Sequence, residues 1–227
     1  MYYLSFIILL LTLHAYAEEP VSSISTGTYK ASYYNPIPSP IAQKMMGKSY
    51  KEDCPIPITD LAYVTVTHYD LLGQIASGEL VVHKKIAVLV MEIFQDIYEA
   101  KFPIERMRLI DEYDANDDKS MEDNNSSAFC FRRNTNRPWV ISTHGLGLAI
   151  DINTRLNPWV KGEKVSPSNA RVYVDRSIHV AGMIHPDDPV VTAFKKRGFI
   201  WGGDFESLKD YQHFEIDPTK LGLESNQ

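Results

Sequence analysis

Two short histidine motifs, far apart in the chain, place the strongest constraint on how it folds. His144 and Asp151 lie in the segment HGLGLAID, and His213 lies in the segment DYQHFE near the end of the sequence. Two imidazoles and one carboxylate suit Zn²⁺, and three protein ligands leave the fourth position of a catalytic zinc site open. The fold must therefore return His213 to the earlier segment, and we predict that these three residues bind one Zn²⁺ ion.

A further carboxylate lies close to the last of these residues. Asp210 precedes His213 by three positions, where it could accept a proton from the water that reacts at the zinc. Glu215 is a second candidate for this role. Because side chains alternate along a strand, Glu215 shares the face of His213 and is better suited to hydrogen-bond that ligand. We therefore assign the general base to Asp210.

The composition is that of one folded domain with an acidic charge balance. The chain has 227 residues, of which 44% are hydrophobic, and this is enough for a substantial core. The formal net charge of −6 argues against nucleic acid as a partner, because phosphate binding needs a basic surface. We expect a monomer.

Residues 1–17 are predicted to be a signal peptide. The stretch from Tyr2 to Leu13 is almost wholly apolar, and Ala15-Tyr16-Ala17 has the small-residue pattern of a cleavage site. The alternative is an uncleaved anchor, but the apolar stretch is shorter than the ~20 residues that span a bilayer. We expect export to the periplasm or the extracellular space, without stable membrane insertion after cleavage.

The cysteine content fits an oxidising compartment and leaves two alternatives open. Cys54 and Cys130 are the two cysteines of the chain, and neither belongs to a Cys-x-x-Cys pair. They form either one disulfide or two free thiols, and the separation of their Cα atoms decides between these states.

The chain divides into a proline-containing N-terminal region and a core. Residues 18–53 are rich in Ser, Tyr and Pro and lack apolar periodicity, which predicts an extended or poorly ordered arm. Residues 54–220 are predicted to form the catalytic domain. Within it, the polar segment 111–136 is predicted to be a long loop that serves the site.

The predicted core mixes helices and strands. A 3.6-residue apolar period predicts a helix over residues 85–101, which the bulk of Pro103 ends. A second helix is predicted over 189–196, with Asp188 as its cap and Pro189 at its first position. Strands are predicted at 61–67, 79–82, 107–110, 148–152, 199–201 and 214–216. The predicted class is α+β, with a small, largely antiparallel sheet and flanking helices.

Three motifs together resemble a known family. Segment 142–151 has the pattern Ser-x-His-x-x-Gly-x-Ala-x-Asp, Trp201-Gly202-Gly203 follows, and segment 210–214 has the pattern Asp-x-x-His-Phe. This order resembles the D-alanyl-D-alanine carboxypeptidase and L-alanyl-D-glutamate endopeptidase family of zinc peptidases, which act on bacterial cell-wall peptides. The resemblance extends over about residues 54–217.

The resemblance implies the same three zinc ligands and the same general base. It also implies an arginine upstream of the first ligand that binds substrate oxygen and stabilises the oxyanion. Relatives read Ser-Ala-Phe-Asn-Cys-Arg at this point, so the arginine aligns with Arg132. The cysteine of this chain, Cys130, is one place earlier than in that pattern. Arg133 therefore remains an alternative to Arg132.

The resemblance implies a function and a fold. It predicts an exported zinc metallopeptidase of the hedgehog-type peptidase fold that hydrolyses peptide bonds in peptidoglycan stem peptides. The cleaved bond is either D-Ala-D-Ala or L-Ala-D-Glu. One alternative is a non-catalytic zinc-containing module that binds the cell wall or signals, as the related hedgehog domain does. Another is a phage-type lysin. A carboxylate at Asp210 favours the enzyme over the non-catalytic module.

Overall fold

The computed structural model describes residues 18–133 and 139–224 and has an α+β fold. Helices are mixed with mainly antiparallel sheets, which confirms the predicted class. The predicted signal peptide lies outside the described residues. Across the described ranges, the helices are all too short or too polar to cross a membrane.

The largest sheet is antiparallel and has four strands in sequence order. Its strands are β1 (Ser22–Thr26), β2 (Tyr29–Tyr34), β3 (Leu61–Tyr69) and β4 (Ile75–His83), and helix α1 (Ser39–Met45) lies between β2 and β3. Both β3 and β4 are longer than the strands predicted for them. Their pairing runs without interruption from Leu61 opposite His83 to Tyr69 opposite Ile75.

The prediction of an extended arm over residues 18–53 is wrong. Half of this region forms β1, β2 and α1, and β2 pairs directly with β3. Tyr29 and Ala31 are buried in the main core, and the Tyr29 hydroxyl donates to the Met91 carbonyl oxygen over 2.5 Å. Because β2 is short and has only two fully buried positions, its period of two was too brief to stand out among the prolines and serines.

The main helix, α2 (Ala87–Glu99), packs its apolar face against this sheet. It was predicted over residues 85–101, and a short 3₁₀ turn at Lys84–Ile86 precedes it. The helix ends before Pro103, because Lys101 adopts a left-handed backbone conformation with φ of 54°. The hydrophobic period therefore identified the helix correctly, and a backbone reversal rather than the proline sets its end.

Segment 111–136 is more ordered than the predicted loop. It contains a 3₁₀ turn at Ile110–Tyr113 and helix α3 (Asp117–Glu122). Strand β5 (Arg106–Met107) pairs in parallel with β6 (Asn125–Ser126), where a strand over 107–110 was expected. Residues 134–136 lie outside the described ranges.

Polar side chains hold this segment together. The Asn125 side-chain amide donates to Ser120 Oγ and to the Arg108 carbonyl oxygen, each over 3.0 Å. The Asn124 side chain accepts from the backbone N–H groups of Arg155 and Leu156 at 2.9 and 3.0 Å. Both asparagines are fully buried. Sequence patterns based on apolar residues cannot detect order that depends on buried amides.

Two small antiparallel sheets carry the rest of the fold. One has the order β10-β12-β7, formed by β7 (Ala149–Asp151), β10 (Ile200–Trp201) and β12 (His213–Glu215). The other has the order β11-β8-β9, formed by β8 (Trp159–Lys161), β9 (Lys164–Ser166) and β11 (Lys209–Asp210). The strands predicted at 148–152, 199–201 and 214–216 form the first of these sheets, whereas the second was not predicted.

Helix α4 (Pro189–Lys195) begins at the predicted proline and packs beside α2, with the rings of Phe94 and Phe194 meeting edge to face. Asp188 occupies the predicted capping position, but the predicted cap is wrong. Its carboxylate accepts from the backbone N–H of His185 at 2.6 Å and makes no side-chain bond to the helix.

The structure shows which of the two alternatives applies to the cysteines. Both Cys54 and Cys130 are free thiols. Burial raises the pKa of each thiol above its usual value, so both are protonated at neutral pH.

Candidate active site

Neighbouring strands and one tight turn bring the three predicted zinc ligands together. Asp151 ends β7 and His213 begins β12, and the two residues are directly opposed in the antiparallel pair. His144 lies in the 3₁₀ turn that precedes β7. This turn closes at Gly147, whose φ of 69° is left-handed and whose Cα lies so close to β4 that a Cβ would be 2.6 Å from the His83 nitrogen.

The donor atoms of the three residues form a compact triangle. His144 Nε2 lies 3.2 Å from both His213 Nδ1 and Asp151 Oδ2, and His213 Nδ1 lies 3.0 Å from Asp151 Oδ1. Donors about 2.0–2.2 Å from a tetrahedral zinc ion are roughly 3.3–3.6 Å apart. All three residues are buried. The donor set and its spacing fit Zn²⁺ with only a small outward movement.

The remaining nitrogen of each imidazole has a partner of its own. His144 Nδ1 lies 2.7 Å from the Ala128 carbonyl oxygen, and His213 Nε2 lies 3.1 Å from Glu215 Oε2. Such contacts fix the tautomer and the ring orientation of a metal-binding histidine. They leave His144 Nε2 and His213 Nδ1 to face the metal, and they give Glu215 the supporting role that the sequence predicted.

The charges of the cluster favour a cation at its centre. Burial alone would raise the pKa of Asp151, but the imidazoles of His144 and His213 hold it well below its usual range. Burial would likewise lower the pKa of His213, but hydrogen bonds to Asp151 and Glu215 raise it well above its usual value. Either a proton or a divalent cation can balance the negative charge of these carboxylates. The three donor atoms surround one open position, which suits a divalent cation.

Asp210 lines the same cleft as the three ligands. It lies on β11, opposite Trp159 of β8. Its Oδ1 atom is buried and has no hydrogen-bond partner among the described residues. Burial raises the pKa of Asp210 to about 6. A buried carboxyl oxygen without a partner, with a pKa close to neutral, has the properties of a proton acceptor.

Arg132 also lines the cleft, and its guanidinium lies 3.2 Å from the Asp117 carboxylate. Burial lowers the pKa of Arg132, but the charges of Asp117 and Asp151 raise it above its usual value. The influence of Asp151 means that the guanidinium lies within electrostatic range of the proposed zinc ligands.

Arg133 borders the cleft as well, but it is turned towards the outside. Its guanidinium lies over the Phe131 ring, 6.0 Å from the ring centroid, and 3.9 Å from the exposed carboxylate of Asp53. Arg133 is also more exposed than Arg132, at 46% against 34% of the side chain. The geometry favours Arg132 as the arginine of the site.

The cleft has a volume of about 640 Å³, which is large enough for several residues of a peptide. Its charged lining residues include Asp117, Arg132 and Asp210 beside the ligand cluster. Apolar side chains complete its walls: Val140, Ile141, Trp159, Phe205 and Leu208. A lining that combines charged and apolar side chains suits a ligand with both kinds of group.

Arg176 supports the site and was not found from the sequence. Its guanidinium lies 4.5 Å from the centroid of the Tyr211 ring, next to Asp210. It donates to the carbonyl oxygens of Leu156 and Ile184 at 2.9 and 2.8 Å. Burial lowers the pKa of Arg176 to about 10, but the group stays charged at neutral pH. Its partners are mainly backbone carbonyl groups, for which the sequence contains no signal.

A comparison with known protein families matches a segment that contains most of the residues of the site. Residues 135–216 match the model of the family described as D-alanyl-D-alanine carboxypeptidase.

Over this segment the chain is similar to the D-alanyl-D-alanine carboxypeptidase family.

The resemblance derived from the motifs is thereby confirmed. The matched segment contains all three proposed ligands and Asp210, whereas Arg132 lies just before it. The family consists of zinc peptidases, so the match supports a peptidase that acts on peptidoglycan. No solved structure matches the chain.

Proposed function

We propose that this protein is an exported zinc metallopeptidase that hydrolyses peptide bonds in peptidoglycan stem peptides. The bond cut is D-Ala-D-Ala, as in a carboxypeptidase, or L-Ala-D-Glu, as in an endopeptidase. The observation that carries the proposal is the convergence of His144, Asp151 and His213 beside the unpartnered Oδ1 of Asp210 in one cleft.

The chemistry follows from the placement of the residues. A zinc ion held by this cluster would lower the pKa of a bound water towards ~7 and polarise the scissile carbonyl group. Asp210 accepts the proton of the attacking water at Oδ1 and returns it to the nitrogen of the leaving amine.

Arg132 supplies fixed positive charge where the carbonyl oxygen becomes negative. Its guanidinium is planar and always charged, and a preorganised donor of this kind stabilises an oxyanion. The ion pair with Asp117 holds the guanidinium at the cleft wall in the absence of substrate.

Asp210 also separates the enzyme from a non-catalytic module of the same fold. A buried carboxyl oxygen without a hydrogen bond is energetically unfavourable, and a module that only binds has no use for it. Perturbed carboxyl groups of this kind concentrate at catalytic sites. This carboxyl group supports the peptidase.

Digestion of purified stem peptides tests the proposal. Zinc-loaded protein is incubated with a pentapeptide ending in D-Ala-D-Ala and with a peptide that retains the L-Ala-D-Glu bond, and the products are identified by mass spectrometry. We expect loss of one terminal alanine from the first peptide or cleavage after the first residue of the second. Asp210→Ala serves as the inactive control. A folded, zinc-loaded protein that cleaves neither peptide would overturn the proposal.

Export is tested separately from catalysis. The proposed cleavage after Ala17 gives a mature chain that begins at Glu18, and the small residues Ala15 and Ala17 fit the recognition pattern. N-terminal sequencing of protein recovered from outside the cytoplasm should begin at Glu18. A chain that retains Met1 and stays in the cytoplasm would contradict export.

A further inference from the structure

The segment Trp201-Gly202-Gly203 packs against the segment that carries Asp210. Gly202 begins the 3₁₀ turn Gly202–Asp204, which follows β10. A Cβ atom on Gly202 would lie 2.8 Å from the Cβ of Asp210 and 3.2 Å from its carbonyl carbon, and closer still to its carbonyl oxygen. No real side chain tolerates such approach to a backbone, so this contact requires glycine.

Trp201 contacts Tyr211, the residue that follows Asp210. Its indole Nε1 donates to the carbonyl oxygen of Tyr211 over 2.9 Å. The indole is buried and lies nearly parallel to the ring of Phe214 on β12, with centroids 6.5 Å apart. The sheet that holds His213 therefore also fixes the segment that holds Asp210.

The backbone of Asp210 is held from two sides. Gly202 lies against one side, and on the other Asp210 pairs with Trp159 of β8. The aspartate side chain has a single methylene, so its carboxylate follows any movement of the backbone. A misplacement of about 1 Å at a catalytic group can lower the rate ~100-fold.

We propose that Gly202 is a positioning residue for the proton acceptor Asp210. By lacking a Cβ, it lets the Asp210 backbone come close enough to the β10 sheet for the carboxylate to face the ligand cluster. Gly202 itself does not touch the substrate. The inference rests on the proposed peptidase function, and it assigns to this glycine a role in the rate rather than in metal binding.

A double-mutant cycle between Gly202→Ala and Asp210→Asn tests the assignment. We expect Gly202→Ala to lower kcat at least ~10-fold in the wild-type background, with KM little changed, because substrate contacts are preserved. In the Asp210→Asn background the same substitution should have almost no effect, because the group that it displaces no longer acts. An equal loss in both backgrounds would overturn the proposal, as would a wild-type kcat for Gly202→Ala.

A matched control separates positioning from general crowding. Gly78→Ala also introduces a close contact, since its Cβ would lie 2.6 Å from Met107 Sδ and 2.8 Å from Met107 Cβ. Gly78 lies on β4, and neither residue lines the cleft. We expect Gly78→Ala to lower the melting temperature and leave kcat unchanged. A fall in kcat as large as that of Gly202→Ala would count against positioning.

Two further measurements keep the test decisive. Gly202→Ala should still bind one zinc ion per chain, and its crystal structure should show Asp210 displaced relative to His144 and His213. If the wild-type protein cleaves no wall peptide, the proposed function fails, whereas an unmoved Asp210 in this crystal structure overturns the positioning role. Should Gly202→Ala not fold, Trp201→Phe removes the bond to Tyr211 without added bulk. It should lower kcat in the wild-type background only.

Discussion

Asp151 and His213 occupy directly opposed positions on β7 and β12, and Asp151 Oδ1 lies 3.0 Å from His213 Nδ1. Opposed side chains in an antiparallel pair project to the same face, so strand register alone brings these two residues together. A slip of one residue would turn one of them to the other face of the sheet. The pairing of β7 with β12 thus brings residues from two distant sequence motifs into one metal-binding arrangement.

Glu215 orients one of the proposed ligands, so its removal should weaken zinc binding without abolishing it. We expect Glu215→Gln to lower the zinc affinity roughly 10–100-fold, because the contact with His213 Nε2 loses its charge. Competition with a chromophoric chelator measures this change. Glu206→Gln changes an exposed glutamate and is the control. Equal zinc affinities of the wild type and Glu215→Gln would contradict the assigned role.

The raised pKa of Asp210 should make the zinc-free protein less stable at neutral pH. Burial lifts this pKa from 3.8 in the unfolded chain to about 6. Ionising the folded carboxyl group is therefore unfavourable. The penalty is absent below about pH 4, grows between pH 4 and 6, and is complete above pH 6.

Asp210→Asn removes this titration. Relative to wild type, its free energy of unfolding should rise with pH across this window, by an amount on the order of 1–3 kcal/mol. Denaturant unfolding of the two zinc-free proteins at several pH values between 4.5 and 8 measures the difference. A difference between the variants that stays constant with pH would show that Asp210 has an ordinary pKa.

The two adjacent arginines should differ in their effect on catalysis. Arg132 pairs with Asp117 in the cleft, whereas Arg133 lies over Phe131 near the surface. We expect Arg132→Ala to lower kcat about 10²–10³-fold with zinc still bound, as loss of an oxyanion donor does. Arg133→Ala should change kcat less than about tenfold. Steady-state kinetics on the cleaved wall peptide distinguish the two, and the reverse order would assign the role to Arg133.

The N-terminal strands should contribute to the stability of the core. Tyr29 is 1% exposed, packs in the core cluster and donates its hydroxyl hydrogen to Met91. We expect Tyr29→Ala to lower the free energy of unfolding by about 3–5 kcal/mol, as the loss of a large buried aromatic side chain does. Tyr33→Ala is a control on the same strand, since Tyr33 is only half-buried. If the free energy of unfolding changes little in Tyr29→Ala, the result would instead support a loosely attached N-terminal arm.

Strong periodic patterns and compact motifs were predictable from the sequence. Helix α2 repeats apolar residues over more than three turns, and Asp151 and His213 lie on strands with clear apolar neighbours. These features report on local structure, so a short window of sequence contains the whole signal. The proposed ligands and Asp210 were found for this reason, and the structure places all four in one cleft.

Features that depend on contacts between distant segments were not predictable. Strand β2 is recognisable only when β3 pairs with it, and the Asn124 side chain finds its partners about thirty residues later in the sequence. The role of Arg176 arises from backbone carbonyls that converge only in the fold. Sequence patterns identify which residues prefer the interior, but they do not identify the partners that satisfy buried polar groups.

The zinc content of two variants tests the central claim most directly. Purified wild-type protein, Asp210→Ala and His213→Ala are dialysed against a trace of zinc, and bound metal per chain is measured by atomic emission. The account predicts one zinc ion per chain for the wild type and for Asp210→Ala, and almost none for His213→Ala. Equal zinc content in folded wild type and His213→Ala would contradict it, because the metal would then be bound elsewhere.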